Sequence, residues 1–123
     1  MFKVAIPILG VSQSLVAEQF YREKLGFRRA YAYRPDPALA DPCYMGLVRD
    51  GAHLVISSFG GDGPAGSRSV QIYVDDILGT RDELVAAGVA LDGDVMDQTW
   101  GNLEINLRDP DGNLLVLAED KHG

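Results

Sequence analysis

The sequence holds few of the residues from which covalent or metal-based chemistry is usually built. Its 123 residues include one cysteine, one tryptophan and two histidines. Cys43 has no partner for an internal disulfide and cannot by itself hold zinc or an iron–sulfur cluster, so we expect a buried or inert thiol. His122 lies in a tail that we expect to fray, and His53 stands beside a turn without a recognisable nucleophile. No Ser/His/Asp catalytic set can therefore be assigned.

Long apolar stretches and an excess of basic residues are also lacking. The run Leu114–Ala118 is far shorter than the roughly 20 residues that a membrane-spanning helix needs. Eighteen acidic residues against eleven basic ones give a net charge of -7, which repels phosphate backbones. We expect neither nucleic acid nor a membrane as a partner. The segment Met1–Pro7 lacks the pattern of a signal peptide, so the expected location is the cytoplasm.

Hydrophobic periodicity in the first half of the chain predicts one helix among four strands. The serines of Ser12–Ser14 offer hydroxyls that could cap the helix, and Gly26 can close it in a left-handed conformation. The predicted elements are a strand over Phe2–Leu9, a helix over Ser14–Lys24, and strands over Phe27–Arg34, Cys43–Arg49 and His53–Ser57.

The same order of elements begins again after a connector rich in glycine and proline. The predicted elements there are a strand over Ser69–Val74, a helix capped by Asp75-Asp76 and ended at Gly88, strands over Leu91–Val95, Thr99–Leu107 and Leu114–Glu119, and a tight turn at Asp109–Gly112. Val11 precedes Gly26 by fifteen residues and Val74 precedes Gly88 by fourteen, so the halves resemble copies of one unit. We expect a single α+β domain over 1–123, with module one at about 1–58, the connector at 59–68 and module two at 69–120.

The strand predicted over Thr99–Leu107 carries two unlike faces, because neighbouring side chains of a strand point to opposite sides. We expect the apolar face in the core: Leu103, Ile105 and Leu107. The other face combines an indole with polar groups: Trp100, Asn102, Glu104 and Asn106. One wall of a ligand pocket has this composition, and a solvated sheet face has it too. The strand before the second helix adds a second half-polar face: Ser69, Gln71 and Tyr73.

With these features in hand, the chain resembles the vicinal-oxygen-chelate superfamily, which includes glyoxalases, ring-cleaving dioxygenases, fosfomycin-resistance enzymes and bleomycin-resistance proteins. The resemblance implies two tandem βαβββ modules whose mixed sheet curls around a cleft, usually in a homodimer. It rests on these segments: Phe20-Tyr21 with Leu25-Gly26-Phe27, Val74-Asp75-Asp76, Trp100-Gly101, and Asp109-Pro110-Asp111-Gly112-Asn113. One departure is Gln13, where the family commonly has aspartate ahead of the helix.

Enzymes of this superfamily mostly hold a divalent metal with His or Gln on the first strand of each module and Glu or His late in each module. The resemblance places these positions at Ile6, Ser69, Val116, and Ser57 or Ser58. Apolar side chains and neutral hydroxyls do not replace imidazole or carboxylate around such a cation. We therefore expect no metal and no cofactor. The pattern is most similar to the bleomycin-resistance branch, in which the cleft sequesters a drug without changing it.

The leading hypothesis is a metal-free homodimer that binds a small aromatic or cationic organic compound. Trp100 and Phe59 would stack on the compound and Glu104 would pair with its charge. The expected binding residues are Trp100, Asn102, Glu104, Ser69, Gln71 and Phe59, with Ile6 and Val116 as an apolar floor. Two alternatives stay open. One is a lyase or dioxygenase that uses Glu104 as a base or binds metal through Glu104, His53 and Asp97; the other is an interaction subunit with a vestigial cleft.

Overall fold

The order of secondary-structure elements repeats in the two halves of the chain. A computed structural model describes residues 1–61 and 63–123, and over these residues the chain forms two four-stranded sheets and two helices. The first half contains β1 (Ile8–Gly10), α1 (Ser14–Leu25), β2 (Arg28–Tyr33), β3 (Tyr44–Arg49) and β4 (Ala52–Ser57). The second contains β5 (Ser69–Tyr73), α2 (Ile77–Ala86), β6 (Met96–Asp97), β7 (Asn102–Arg108) and β8 (Leu114–Asp120). Both halves are βαβββ units, which confirms the predicted α+β fold.

The two sheets share one topology. The first has the strand order β1-β4-β3-β2 and the second β5-β8-β7-β6. In each sheet the first strand pairs in parallel with the last, and the other pairs are antiparallel. A parallel pair needs a long crossover connection, which the helix and the following strands supply. In the described part of the chain the two sheets remain separate and do not close into a barrel.

The hydrophobic core lies on the face of each sheet that the helices cover. The first sheet contributes Leu9, Met45, Leu47, Leu54 and Ile56, and the second contributes Ile105, Leu107, Leu115 and Leu117. Ile77 and Leu84 of α2 belong to the same cluster. Ile105 and Leu107 are fully buried as predicted, whereas Leu103 is only partly buried. Neither helix of the described residues has the length and hydrophobicity that a membrane span requires.

Two predicted strands are largely absent from the structure, and a third, predicted over Thr99–Leu107, begins only at Asn102, so Trp100 lies outside it. The first is only three residues long rather than covering Phe2–Leu9, and residues 1–5 are exposed. Pro7 lacks an N–H for the ladder, and its carbonyl accepts a hydrogen bond from the Val55 N–H. The second, predicted over Leu91–Val95, is reduced to an isolated bridge at Leu91, because Gly93 adopts a φ of 92° that interrupts extended backbone.

Helix α1 begins and ends by different means. The prediction that hydroxyls of Ser12–Ser14 cap it is wrong, since the N-cap residue is Gln13 and its side chain makes no capping hydrogen bond. The Ser14 N–H instead donates to the Asp41 carboxylate at 3.1 Å, so a distant loop supplies the acceptor. The predicted end is confirmed, because Gly26 closes the helix with a φ of 72°.

A turn whose two end residues are buried joins the two halves, and we call its residues, Asp109–Asn113, the module clamp. The Tyr21 hydroxyl of α1 donates to Asp109 Oδ2 at 2.9 Å. Burial raises the pKa of Tyr21, and the neighbouring carboxylate of Asp109 raises it further, so the hydroxyl stays protonated as a donor. Asp109 Oδ1 accepts from three backbone N–H groups of the turn, and Asn113 Nδ2 donates to the Gly10 carbonyl at 2.9 Å. The turn predicted at Asp109–Gly112 is thus confirmed, and it fixes the end of β1 as well.

Candidate functional site

The sheet face opposite the helices brings together the polar residues of two strands in the second half. Strand β8 lies between β5 and β7, so residues in register across it share one face. One row contains Tyr73, Ala118 and Glu104, and the next contains Gln71, Val116 and Asn106. The two half-polar faces predicted from sequence are therefore one continuous surface, with the predicted floor residue Val116 at its middle.

The Glu104 carboxylate is the centre of this surface, although the residue is only 6% exposed. Its Oε2 accepts hydrogen bonds from Trp100 Nε1 at 2.9 Å, Asn102 Nδ2 at 3.3 Å and Gln71 Nε2 at 3.4 Å. Its Oε1 accepts from Gln98 Nε2 at 3.4 Å. We call these five residues the Glu104 cluster. Four neutral N–H donors thus surround one buried charge, which satisfies the carboxylate without a cation.

The indole of Trp100 is fixed at its nitrogen and open on its ring. Trp100 is 65% exposed and is the one tryptophan of the sequence. It lies in the tight turn before β7, where the Gly101 N–H donates to the Gln98 carbonyl at 3.2 Å. Gly101 has a φ of 97°, a conformation that a side chain disfavours. An exposed aromatic face beside satisfied polar groups is suited to stacking against a flat ring.

The set of binding residues proposed from sequence omitted two residues of the site, Tyr73 and Gln98. Asn102, which is 5% exposed, also donates from Nδ2 to the hydroxyl of Tyr73 at 3.1 Å. Alternation along β5 placed Tyr73 on the correct face, and that signal could have included it. Gln98 lies in the connection between β6 and β7, outside any strand alternation, so no sequence pattern indicated it.

The remaining predicted binding residues lie apart from the Glu104 cluster. Ser69 is exposed at the start of β5, in register with Leu114. Ile6 lines a small pocket together with connector glycines. The ring of Phe59 stacks on Tyr33, with ring centroids 6.4 Å apart and an interplanar angle of 3°. Ile6 and Phe59 therefore belong to the surface of the first half.

The first sheet has an aromatic face of its own. The ring of Tyr31 covers Gly46, and a methyl group at Gly46 would overlap that ring. Tyr31 and His53 share a hydrogen bond of 3.0 Å between the hydroxyl and Nε2, and their rings meet edge to face at a centroid distance of 5.7 Å. Tyr31 and Tyr33 are two residues apart in β2, so strand alternation was the signal that could have revealed this face.

The proposed metal ligands Glu104, His53 and Asp97 have separate partners. His53 contacts Tyr31, and Asp97 forms an ion pair with Lys121. Among residues 1–61 and 63–123, no group of three or more His, Cys, Asp or Glu side chains is placed to hold a metal ion. The residues at the family's metal positions and in the Glu104 cluster do not fit a divalent cation. Catalysis with Glu104 as a base stays a prediction.

A cavity between the two halves has a different location and composition. It has a volume of about 800 Å³ and lies between the halves, beside β5 and the turn between β3 and β4. Its lining includes the core residues Phe27, Leu54, Ile72 and Leu84. The acidic side chains of Asp50, Asp76 and Glu83 also line it. It includes Gln71 and Tyr73 but not Trp100 or Glu104. Convergent polar groups beside an aromatic ring occur in the Glu104 cluster, which we therefore take as the candidate site.

The sequence over residues 9–117 matches the family model of the Glyoxalase/Bleomycin resistance protein/Dioxygenase superfamily. The chain belongs to this superfamily, as its motifs predicted. No curated protein matches the sequence.

Several solved structures share the fold over nearly the whole chain. A bleomycin-binding protein complexed with bleomycin is 25% identical, with 96% of this chain and 98% of that chain covered and a TM-score of 0.75. TnmS3, an antibiotic binding protein from Streptomyces sp. CB03234, is 26% identical, with 98% of both chains covered and a TM-score of 0.75. A bleomycin resistance determinant encoded on the transposon Tn5 is 24% identical, with 98% and 99% covered and a TM-score of 0.78.

Proposed function

We propose that the protein binds a small aromatic or cationic organic compound against the exposed ring of Trp100 and leaves it chemically unchanged. The observation that carries this proposal is an indole whose N–H is fixed by the Glu104 carboxylate while the residue is 65% exposed. A large exposed aromatic surface beside ordered polar groups is typical of a binding site. The bleomycin-binding and antibiotic-binding proteins of the same fold support a ligand of this class.

The charge of the molecule favours a cationic compound over an anionic one. The net charge of -7 creates a negative potential that attracts cations before contact. At the site, stacking on an aromatic ring contributes about 0.5–1.5 kcal/mol beyond the burial of area. Together these terms favour a flat, positively charged ring system.

The proposal includes a homodimer in which a second copy completes the cleft. Five aromatic side chains on the open faces of the two sheets are between 42% and 65% exposed: Tyr31, Tyr33, Phe59, Tyr73 and Trp100. So much exposed aromatic surface is characteristic of an interaction face. A second copy would cover part of it and provide a facing wall for a ligand on Trp100.

A titration with bleomycin and with a simple cationic aromatic compound tests the proposal. Because Trp100 is the one tryptophan, stacking should quench the intrinsic fluorescence of the wild-type protein. Trp100→Ala should weaken binding several-fold in calorimetry, as expected for the loss of one stacking partner. Phe2→Ala, which removes an exposed ring outside the site, is the matched control and should bind like wild type. Equal affinity of the Trp100→Ala and wild-type proteins would contradict the proposal.

A further inference from the structure

We propose that Glu104 is a positioning residue, which fixes the indole of Trp100 for stacking instead of pairing with the positive charge of a ligand. This inference rests on the proposed function, because it concerns how the same site recognises its compound. It replaces the charge-pairing role that the sequence suggested for Glu104.

The carboxylate is almost fully enclosed, which leaves a ligand cation little room to approach. Trp100 makes the shortest hydrogen bond to it, at 2.9 Å on Oε2, where Asn102 and Gln71 also donate, and Gln98 donates to Oε1 at 3.4 Å. The residue is 6% exposed. A ligand ammonium would have to displace these donors before it could reach Glu104, and the indole N–H is a donor only, so it would lose its acceptor.

Glu104 is held in a paired strand, whereas Trp100 lies in an exposed turn. Glu104 lies inside β7, in register with Met96 on one side and Ala118 on the other, so its strand is held on both edges. Trp100 lies four residues earlier, in a turn. Without the hydrogen bond to Glu104, an exposed indole in a turn would sample several rotamers, and binding would have to immobilise it. Glu104 therefore orders the ring before the ligand arrives.

Two substitutions at Glu104 separate the positioning role from charge pairing. Glu104→Gln removes the charge but keeps an oxygen that can accept from the indole, whereas Glu104→Leu removes the acceptor as well. The probes are acridine and N-methylacridinium in mildly alkaline buffer, where acridine is neutral, with affinities measured by calorimetry. We expect Glu104→Leu to weaken both probes by roughly five-fold and Glu104→Gln to retain most of the affinity for both. The proposal would be overturned if only the affinity for N-methylacridinium fell, and fell as much in Glu104→Gln as in Glu104→Leu.

The Trp100→Phe variant allows a second experiment, which does not depend on the stability of the Glu104→Leu protein. Phenylalanine keeps a ring and loses the N–H, so the hydrogen bond to Glu104 no longer exists. In the Trp100→Phe protein, a substitution at Glu104 should not change the affinity for either probe further, because the effects of substitutions at two coupled residues are not additive. If Glu104→Gln weakened N-methylacridinium in the Trp100→Phe protein, the carboxylate would be acting on the ligand directly and the proposal would fail.

The orientation of the indole can be measured without any ligand. Fluorescence anisotropy decay of the single tryptophan reports its motion in the free protein. We expect a larger fast component in Glu104→Leu than in wild type, with Glu104→Gln close to wild type and the distant Glu23→Gln variant unchanged. Identical decays in wild type and Glu104→Leu would overturn the positioning role even if both probes bind. If the decays change as expected but wild type binds neither probe, the positioning role stands and the proposed function fails.

Discussion

At the scale of single residues, Gly46 determines the shape of the aromatic face on the first sheet. The ring of Tyr31 lies directly on the Gly46 backbone, in the space where any other residue would place its Cβ. This approach brings the Tyr31 hydroxyl to His53. A single hydrogen atom in place of a side chain thus sets the position of one wall of the proposed dimeric cleft.

We expect Gly46→Ala to displace the ring of Tyr31 and to lower the free energy of unfolding by roughly 1–3 kcal/mol, the usual cost of overpacking. Urea denaturation measures this loss. Tyr31→Phe is the matched control: it keeps the ring over Gly46, loses only the hydrogen bond to His53, and should cost about 1 kcal/mol or less. A Gly46→Ala protein as stable as wild type would show that the ring does not depend on this space.

At the scale of elements, the start of α1 is held by the loop between β2 and β3. The Asp41 carboxylate accepts from the Ser14 N–H at 3.1 Å and from the Ser58 hydroxyl at 2.6 Å, so it links the helix to the end of β4. Burial by itself would raise the pKa of Asp41. The hydrogen bonds from Ser58 and Ser14, with the charge of Arg34, outweigh burial and lower this pKa below its usual value.

We expect Asp41→Asn to lower the free energy of unfolding by about 1 kcal/mol at neutral pH, because the charged acceptor is lost. The pKa of Asp41 is lower in the folded than in the unfolded protein, so its contribution is complete above the unfolded value of about 4. It disappears as the pH falls through the folded value. Urea denaturation of wild type and variant over a pH series measures the difference, which should shrink only in acid. A difference that stays constant into strong acid would contradict this account.

Local patterns predicted most elements but not the contacts between distant ones. Alternation predicted the faces of β7 except for Trp100, which lies in the turn before the strand, and Gly26 predicted the end of α1, because neighbours in sequence determine these features. The acceptor at the start of α1 was missed because Asp41 lies 27 residues from Ser14. For the site, alternation placed Gln71 and Glu104 on polar faces, but only the order of β5, β8 and β7 shows that these faces are one surface.

At the scale of the whole molecule, the proposed homodimer would cover the two open sheet faces. We expect sedimentation equilibrium to give twice the chain mass of 13.3 kDa. Tyr33→Asp, which places a charge on the exposed face of the first sheet, should shift the protein toward monomer, since buried unpaired charge is unfavourable at an interface. Glu23→Lys, a charge change on the outer helix, should not. A wild-type mass of 13.3 kDa at all accessible concentrations would rule out the dimer.

Because of the module clamp, the two similar halves are not interchangeable. Its turn belongs to the second half, yet Asp109 accepts from Tyr21, Asp111 accepts from the Ser12 hydroxyl at 2.7 Å, and Asn113 donates to Gly10. Recombination within the connector would separate these donors from their acceptors and leave buried polar groups unpaired. Halves exchanged between relatives must therefore carry matching clamp residues, and a duplicated half could not replace its sister without acquiring them first.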